Sequence, residues 1–254
     1  MLLRRIIEHV KAQNWTAVAL DFIIVVVGVF IGIQVANWND ALGEQKEFQL
    51  ARERFLAEAT ANLATLESID VEMGERISDV RAAFDALRSC ADSNSNRLLI
   101  SRGLWRITGT TGINLRMSAL QEITESPHLS ARLSTSERKQ LEDLKFAMTV
   151  LKREANWAED LPLRERAANN PLIGVGALEN ISGTYNGVEL SGERRNLELD
   201  VPVDEACRDD ALIKSFYHWE RWQEQVLRYT ALQKAMIANT ISAFGDESAI
   251  DGTD

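Results

Sequence analysis

Asp21-Phe22-Ile23-Ile24-Val25-Val26-Val27-Gly28-Val29-Phe30-Ile31-Gly32-Ile33-Gln34-Val35 is the stretch that decides the fold. No side chain between Phe22 and Ile33 is polar. Extended back to Thr16, the run is about 20 residues long. At ~1.5 Å per helical residue it spans about 30 Å, the hydrocarbon thickness of a bilayer. Trp15 and Trp38 bracket it, where indoles favour the membrane interface. A core helix of a soluble protein seldom carries so long an unbroken apolar run, so 16–38 is expected to be a transmembrane helix. The run starts late for a signal peptide, and Gln34 stands where a cleavage site needs a small residue. The expectation is therefore an uncleaved anchor in contact with the lipid bilayer.

Outward from the span, the flanks set the orientation. Arg4, Arg5 and Lys11 oppose only Glu8 on the N-terminal side. On the other side Lys46, Arg52 and Arg54 are farther away and mixed with Asp40, Glu44, Glu47 and Glu53. The positive-inside rule then places segment 1–15 in the cytoplasm and the rest outside it. Residues 1–13 also pattern as a short amphipathic helix at the inner leaflet.

Within the span, Asp21, Gly28, Gly32 and Asn39 fall within about 40° of one another at 100° per residue. A face with a Gly-x-x-x-Gly step lets two helices approach closely, which suits self-association or docking to another membrane protein. The same residues also fit a plainer reading, in which glycine is merely common in membrane helices and Asp21 reaches the interface.

The 254-residue chain carries 28 Lys+Arg against 38 Asp+Glu, a net charge of −10, which argues against nucleic-acid binding. Its 45% hydrophobic content excludes a disordered chain. Beyond the anchor, 39–244 reads as mainly α: an extracytoplasmic helical bundle with one irregular loop excursion, followed by an acidic tail at 245–254. Residues 41–88 are helical by period, with Gly43 a point where the helix could break. A helix at 97–106 follows, then a turn at Gly109-Thr110-Thr111-Gly112. Ser118/Gln121 and Ser134/Glu137 have the spacing of capping boxes. Leu141, Leu144, Met148, Leu151 and Ala155 form the stripe of the second of these helices, with its limit expected at Pro162. Segment 161–206, rich in Gly and Pro, is expected to be an extended excursion, with 188–190 pairing 197–201 as a small hairpin. A last helix at 209–244 is expected to bury Leu212, Phe216, Trp219, Trp222, Val226, Tyr229, Leu232 and Met236.

Cys90 and Cys207 flank the first and last of these helices. In an oxidising compartment they are expected to bridge and close a loop of about 117 residues, the alternative being two unpaired thiols, one or both buried. Chemistry is harder to find. His9, His128 and His218 are scattered, and the chain has no G-x-S-x-G elbow, His-Glu-x-x-His or P-loop. No catalytic residue, metal site or cofactor is expected. The 109–112 turn could cradle an anion through its amides, though it has no following Lys and reads as an ordinary turn. Phe216-Tyr217-His218-Trp219-Glu220-Arg221-Trp222 is the most unusual local composition. It fits core packing, with His218, Trp219 and Trp222 as the alternative ligand or partner surface.

Leu3-Arg4-Arg5, Asp21-Phe22, Gly28–Gln34 and Asn37-Trp38-Asn39 together resemble the N-terminus of a family of bacterial single-span membrane proteins without established activity. The resemblance covers about 40 residues. It implies a bacterial inner-membrane protein with a helical periplasmic part, and it transfers no catalytic residue. A weaker resemblance is to type IV pilins, which carry an acid at the fifth position of an apolar helix, as Asp21 is counted from Ala17. Thr16 departs from that pattern, because the pilin leader is cut after Gly. The expectation is a non-enzymatic membrane-anchored interaction or scaffold protein. The alternative is an extracytoplasmic sensor or ligand-binding module that signals through a membrane partner.

Overall fold

The computed structural model describes residues 15–164, 167–185 and 188–246. The basic segment 1–14 and the tail residues 247–254 lie outside the described residues, as do the side chains of Trp15 and Asp21. The chain is mainly helical, with one long apolar N-terminal helix. It divides into two units, Met1–Arg52 and Glu53–Asp254.

In the first unit helix α1 (Trp15–Arg88) begins, and its residues 22–35 are all exposed. Phe22 and Phe30 leave more than half of their surface bare, and none of the apolar window is buried. A soluble protein would cover such a surface, because each buried large aliphatic side chain stabilises by about 1.5–3 kcal/mol. Gly43 does not break the helix, and neither does Gly74 further on.

In the second unit the helix is lined by Phe55, Leu66, Met73, Val80 and Leu87, all buried. It ends at Arg88, and α2 (Asn94–Arg106) starts a turn earlier than its apolar pattern suggests, because Ser93 caps it through the amide of Asn96. Helices α3 (Ser118–Glu125) and α4 (Pro127–Ser130) are short. Helix α5 (Thr135–Arg164) packs along α7 (Asp210–Asp246). Between them come a 3-10 turn at Ala167–Asn169, strands β1 (Ile173–Tyr185) and β2 (Val188–Leu199), and the single turn α6 (Val203–Ala206).

Several local expectations meet a different outcome. Ser134 and Glu137 do form a reciprocal capping box: each side chain accepts from the other's backbone amide, at 3.2 and 2.8 Å. Ser118 and Gln121 do not. Ser118 is already the first helical residue, and Glu58 of α1 reaches across to accept from Ser118 Oγ and the amide of Ala119. A carboxylate at a helix N-terminus satisfies the orphan donors and complements the macrodipole, wherever in the chain it comes from. Helix α5 runs past Pro162 to Arg164.

The irregular excursion is the largest correction. Segment 161–206 contains a two-stranded antiparallel hairpin with the register Ile173↔Leu199, Ile181↔Gly192 and Tyr185↔Val188. The patches 188–190 and 197–201 do not pair with each other. The first, and the second as far as Leu199, lie on the same strand, and their partner is β1. β2 packs on α2, where Ser101 Oγ donates to the carbonyl of Leu197 at 2.7 Å. Leu199, Ile100, Leu104, Val203, Phe216 and Trp219 belong to one core at this end of the unit.

Gly103 is where α2 touches α1. A Cβ there would lie 2.2 Å from Ala83 Cβ and 3.0 Å from Phe216. Gly103→Ala is expected to force these helices apart and to cost about 1–3 kcal/mol. A thermal melt of this variant should show a lowered midpoint, whereas a Gly74→Ala control, whose added Cβ meets no side chain within 4 Å, should melt no lower than the parent.

Candidate functional site

On the apolar helix, Gly28, Gly32 and Asn39 are exposed, and an added Cβ at either glycine would meet nothing within 4 Å. Asp21 is placed on the same helix by its backbone. The glycine step therefore leaves a shallow, open strip of backbone.

In the second unit, Cys90 and Cys207 form a disulfide with Cα atoms 5.4 Å apart. Cys90 adopts φ +51°, the left-handed conformation that ends many helices, and its amide donates to Leu87 O. Asp92 ties the same corner together. It accepts from Arg97 Nε at 2.7 Å and from the amide of Val203 at 3.3 Å. The bond from Arg97, then that from Val203, holds the Asp92 carboxyl below the usual carboxylate range. The bridge thus joins the segment after α1 to the turn before α7 and closes off α2–α5 and the hairpin between them.

The aromatic stretch splits into two environments. Trp219 is 1% exposed and donates from Nε1 to the carbonyl of Gly109 at 2.8 Å, so it belongs to the core and not to a surface. His218 is exposed beside Tyr217. Trp222 is half-buried and meets Trp157 edge to face at 5.0 Å. Segment 109–112 is not an anion-cradling turn. It runs without helix or strand, and the amide of Thr111 donates to Gln223 Oε1. Trp219 and Gln223, one turn apart on α7, grip this segment from one side. Arg76 of α1 holds Thr111 Oγ1 from the other, at 3.0 Å. Burial lowers the pKa of Arg76, against the opposing pull of Glu72.

The buried stripe of α7 starts as expected with Leu212, Phe216 and Trp219. It then runs through Gln223, Val226, Thr230, Gln233, Ile237, Thr240 and Phe244. These positions follow alternating steps of four and three, the spacing of a heptad seam. Trp222, Tyr229 and Met236 are half-buried, and Leu232 is exposed. The buried face is turned from the one its apolar residues mark, because four polar residues, Gln223, Thr230, Gln233 and Thr240, occupy the interior. Thr230 and Thr240 donate back to the carbonyls of Val226 and Met236. Gln233 is 1% exposed, and neither of its amide atoms has a partner among the described residues. A buried unsatisfied polar group costs about 1–3 kcal/mol. Gln233→Leu is therefore expected to raise stability by about 1 kcal/mol or more, read as an upward shift of the denaturant midpoint at constant slope.

One cluster left no motif in the sequence. The Arg194 guanidinium carbon sits 3.5 Å from the ring centroid of Trp105, and that of Arg106 sits 4.9 Å from it. Arg106 Nη2 pairs with Asp79 Oδ2 at 2.8 Å. Positions 89 residues apart cannot be linked by spacing alone, and only the β2–α2 packing brings them together. Among the described residues, no group of three or more His, Cys, Asp or Glu is gathered to hold a metal ion. Comparison of the chain with protein-family profiles, curated proteins and solved structures finds no match.

Proposed function

We propose that the chain is a single-pass inner-membrane protein of the bacterial envelope. In this reading the N-terminus is cytoplasmic, and the disulfide-bridged helical bundle lies in the periplasm as a non-enzymatic interaction or scaffold module. The observation that carries the proposal is the bare apolar surface at 22–35, which no part of its own unit covers. Lipid is the natural solvent for such a surface. The bridge between Cys90 and Cys207 supports the orientation, because structural disulfides persist in oxidising compartments such as the periplasm. The open strip at Gly28 and Gly32, with Asn39 below it, is the proposed contact with a second copy or another membrane protein. The acidic balance supports a partner other than nucleic acid. A ligand pocket beside Trp219 is not favoured, since that ring fills the core.

Alkaline carbonate washing of membranes followed by crosslinking tests the reading. The full chain is expected to stay in the pellet. It should also give crosslinked species that weaken when Gly28 and Gly32 are both replaced by leucine. Release into the wash would overturn the anchor, and an uncrosslinked chain would overturn the interaction role.

A further inference from the structure

The register of the hairpin places Glu179 opposite Arg194, Ile181 opposite Gly192 and Gly183 opposite Leu190. Alternation along each strand puts all six on one face of the ribbon. That face and the end of α2 enclose a groove of about 710 Å³. Its walls include Trp105, Arg106 and Arg194 at one end and Ile181, Leu190 and Ser191 at the other. They contain two cations and no carboxylate, in a chain of net charge −10. Glu179 accepts from Asn196 and does not line the groove.

The two guanidiniums differ. Arg106 is neutralised by Asp79. Among the described residues no carboxylate comes within ion-pair distance of Arg194, whose Nε donates only to Asn196 Oδ1 at 3.3 Å. Stacking on Trp105 fixes the plane of this guanidinium and leaves its terminal nitrogens free to bond an anion in bidentate fashion. Burial lowers the pKa of Arg194, against the opposing pull of its cross-strand neighbour Glu179, and the nearby Arg106 lowers it further. Beside it, Ile181 and Leu190 are exposed aliphatic side chains, and between them Gly183 and Gly192 leave the ribbon backbone low and open.

We propose that this groove binds an acidic peptide segment of a partner protein. A carboxylate of the peptide meets Arg194, with Arg106 beside it, and an aliphatic side chain of the peptide lies on Ile181 and Leu190. Charge complementarity selects the carboxylate, and the aliphatic ledge selects a peptide over a uronic-acid glycan. Trp105 is already stacked by Arg194, and a sugar would need an open aromatic face. The inference rests on the reading of the second unit as an interaction module. It does not rest on the membrane anchor.

The test is fluorescence anisotropy with the full chain in nonionic detergent micelles. The probe is a fluorescein-labelled octapeptide alternating leucine and glutamate. Saturable binding is expected, and none is expected for the matching leucine–lysine peptide. Arg194→Gln should weaken binding roughly tenfold or more. Gly192→Phe should abolish it without lowering the melting midpoint, because a Cβ at Gly192 meets no atom within 4 Å. Absence of saturable binding would overturn the proposal, as would equal affinity in Arg194→Gln or in Gly192→Phe. It would also be overturned if polygalacturonate bound with the same dependence on Arg194 and Gly192 and the peptide did not bind. Carbonate washing reads the anchor separately, so either result can fail without the other.

Discussion

Replacing both Cys90 and Cys207 by serine is expected to lower stability by about 5 kcal/mol. The bridge closes a loop of 117 residues, and the chain-entropy relation gives about that value for such a loop. The bridge also does local work. Cys90 is a non-glycine residue at positive φ, and Asp92, two residues on, reaches the amide of Val203 near Cys207. Without the covalent link, that corner is held by Asp92, Arg97 and the surrounding apolar core alone. For a domain of roughly 200 residues, 5 kcal/mol corresponds to a drop of about 10–20 °C in midpoint. Thermal unfolding of the full chain in nonionic micelles, followed by far-ultraviolet circular dichroism, reads this directly. A double variant that melts within a degree or two of the parent, or a parent with two titratable thiols, would contradict the claim. Adding reductant to the parent should reproduce the variant.

Trp219→Ala is expected to cost about 3–5 kcal/mol, the range for deleting a buried indole. Trp219 is among the largest fully buried side chains of the chain and packs in the core where α1, α2, β2 and α7 meet. Its Nε1 also satisfies the carbonyl of Gly109, so the loss extends beyond volume. Trp219→Phe separates the two effects. It keeps most of the apolar surface and leaves the carbonyl without its donor, which costs about 1–3 kcal/mol where that group stays dry. Amide hydrogen exchange should then speed up around 109–112 more than along α5. Equal melting of Trp219→Ala and parent would place the side chain on the surface and contradict the packing described.

The parts of the fold legible in the sequence are those where one periodicity acts alone. The 22–33 run needs no partner to be read, since apolarity without interruption has few structural uses. Leu141, Leu144, Met148, Leu151 and Ala155 are all buried as their spacing implies. The Ser134–Glu137 box is local and therefore visible. Where tertiary partners intervene, the signal fails. Glu58 caps a helix 60 residues away, and no local pattern announces that. Gln223, Thr230, Gln233 and Thr240 are polar by type and interior by position, so a hydrophobic stripe drawn through α7 turns toward Trp222 and Leu232. The hairpin was hidden by Gly174, Gly176, Gly183 and Gly192, which weaken strand propensity along both strands. The sequence signal for it is Asn186-Gly187, the dipeptide favoured in two-residue hairpin loops, which stands between the paired Tyr185 and Val188, while packing of Leu197 and Leu199 seats the ribbon beside α2. The Arg194–Trp105 stack followed from that packing and was invisible.

The central claim is that the helix bounded by Trp15 and Trp38 crosses a bilayer and delivers the disulfide-bridged unit to the far side. Protease added to intact spheroplasts carrying the full chain with a C-terminal epitope tests it most directly. The account predicts that the epitope is lost while a cytoplasmic marker enzyme stays whole. An epitope that survives until the spheroplasts are lysed would contradict it.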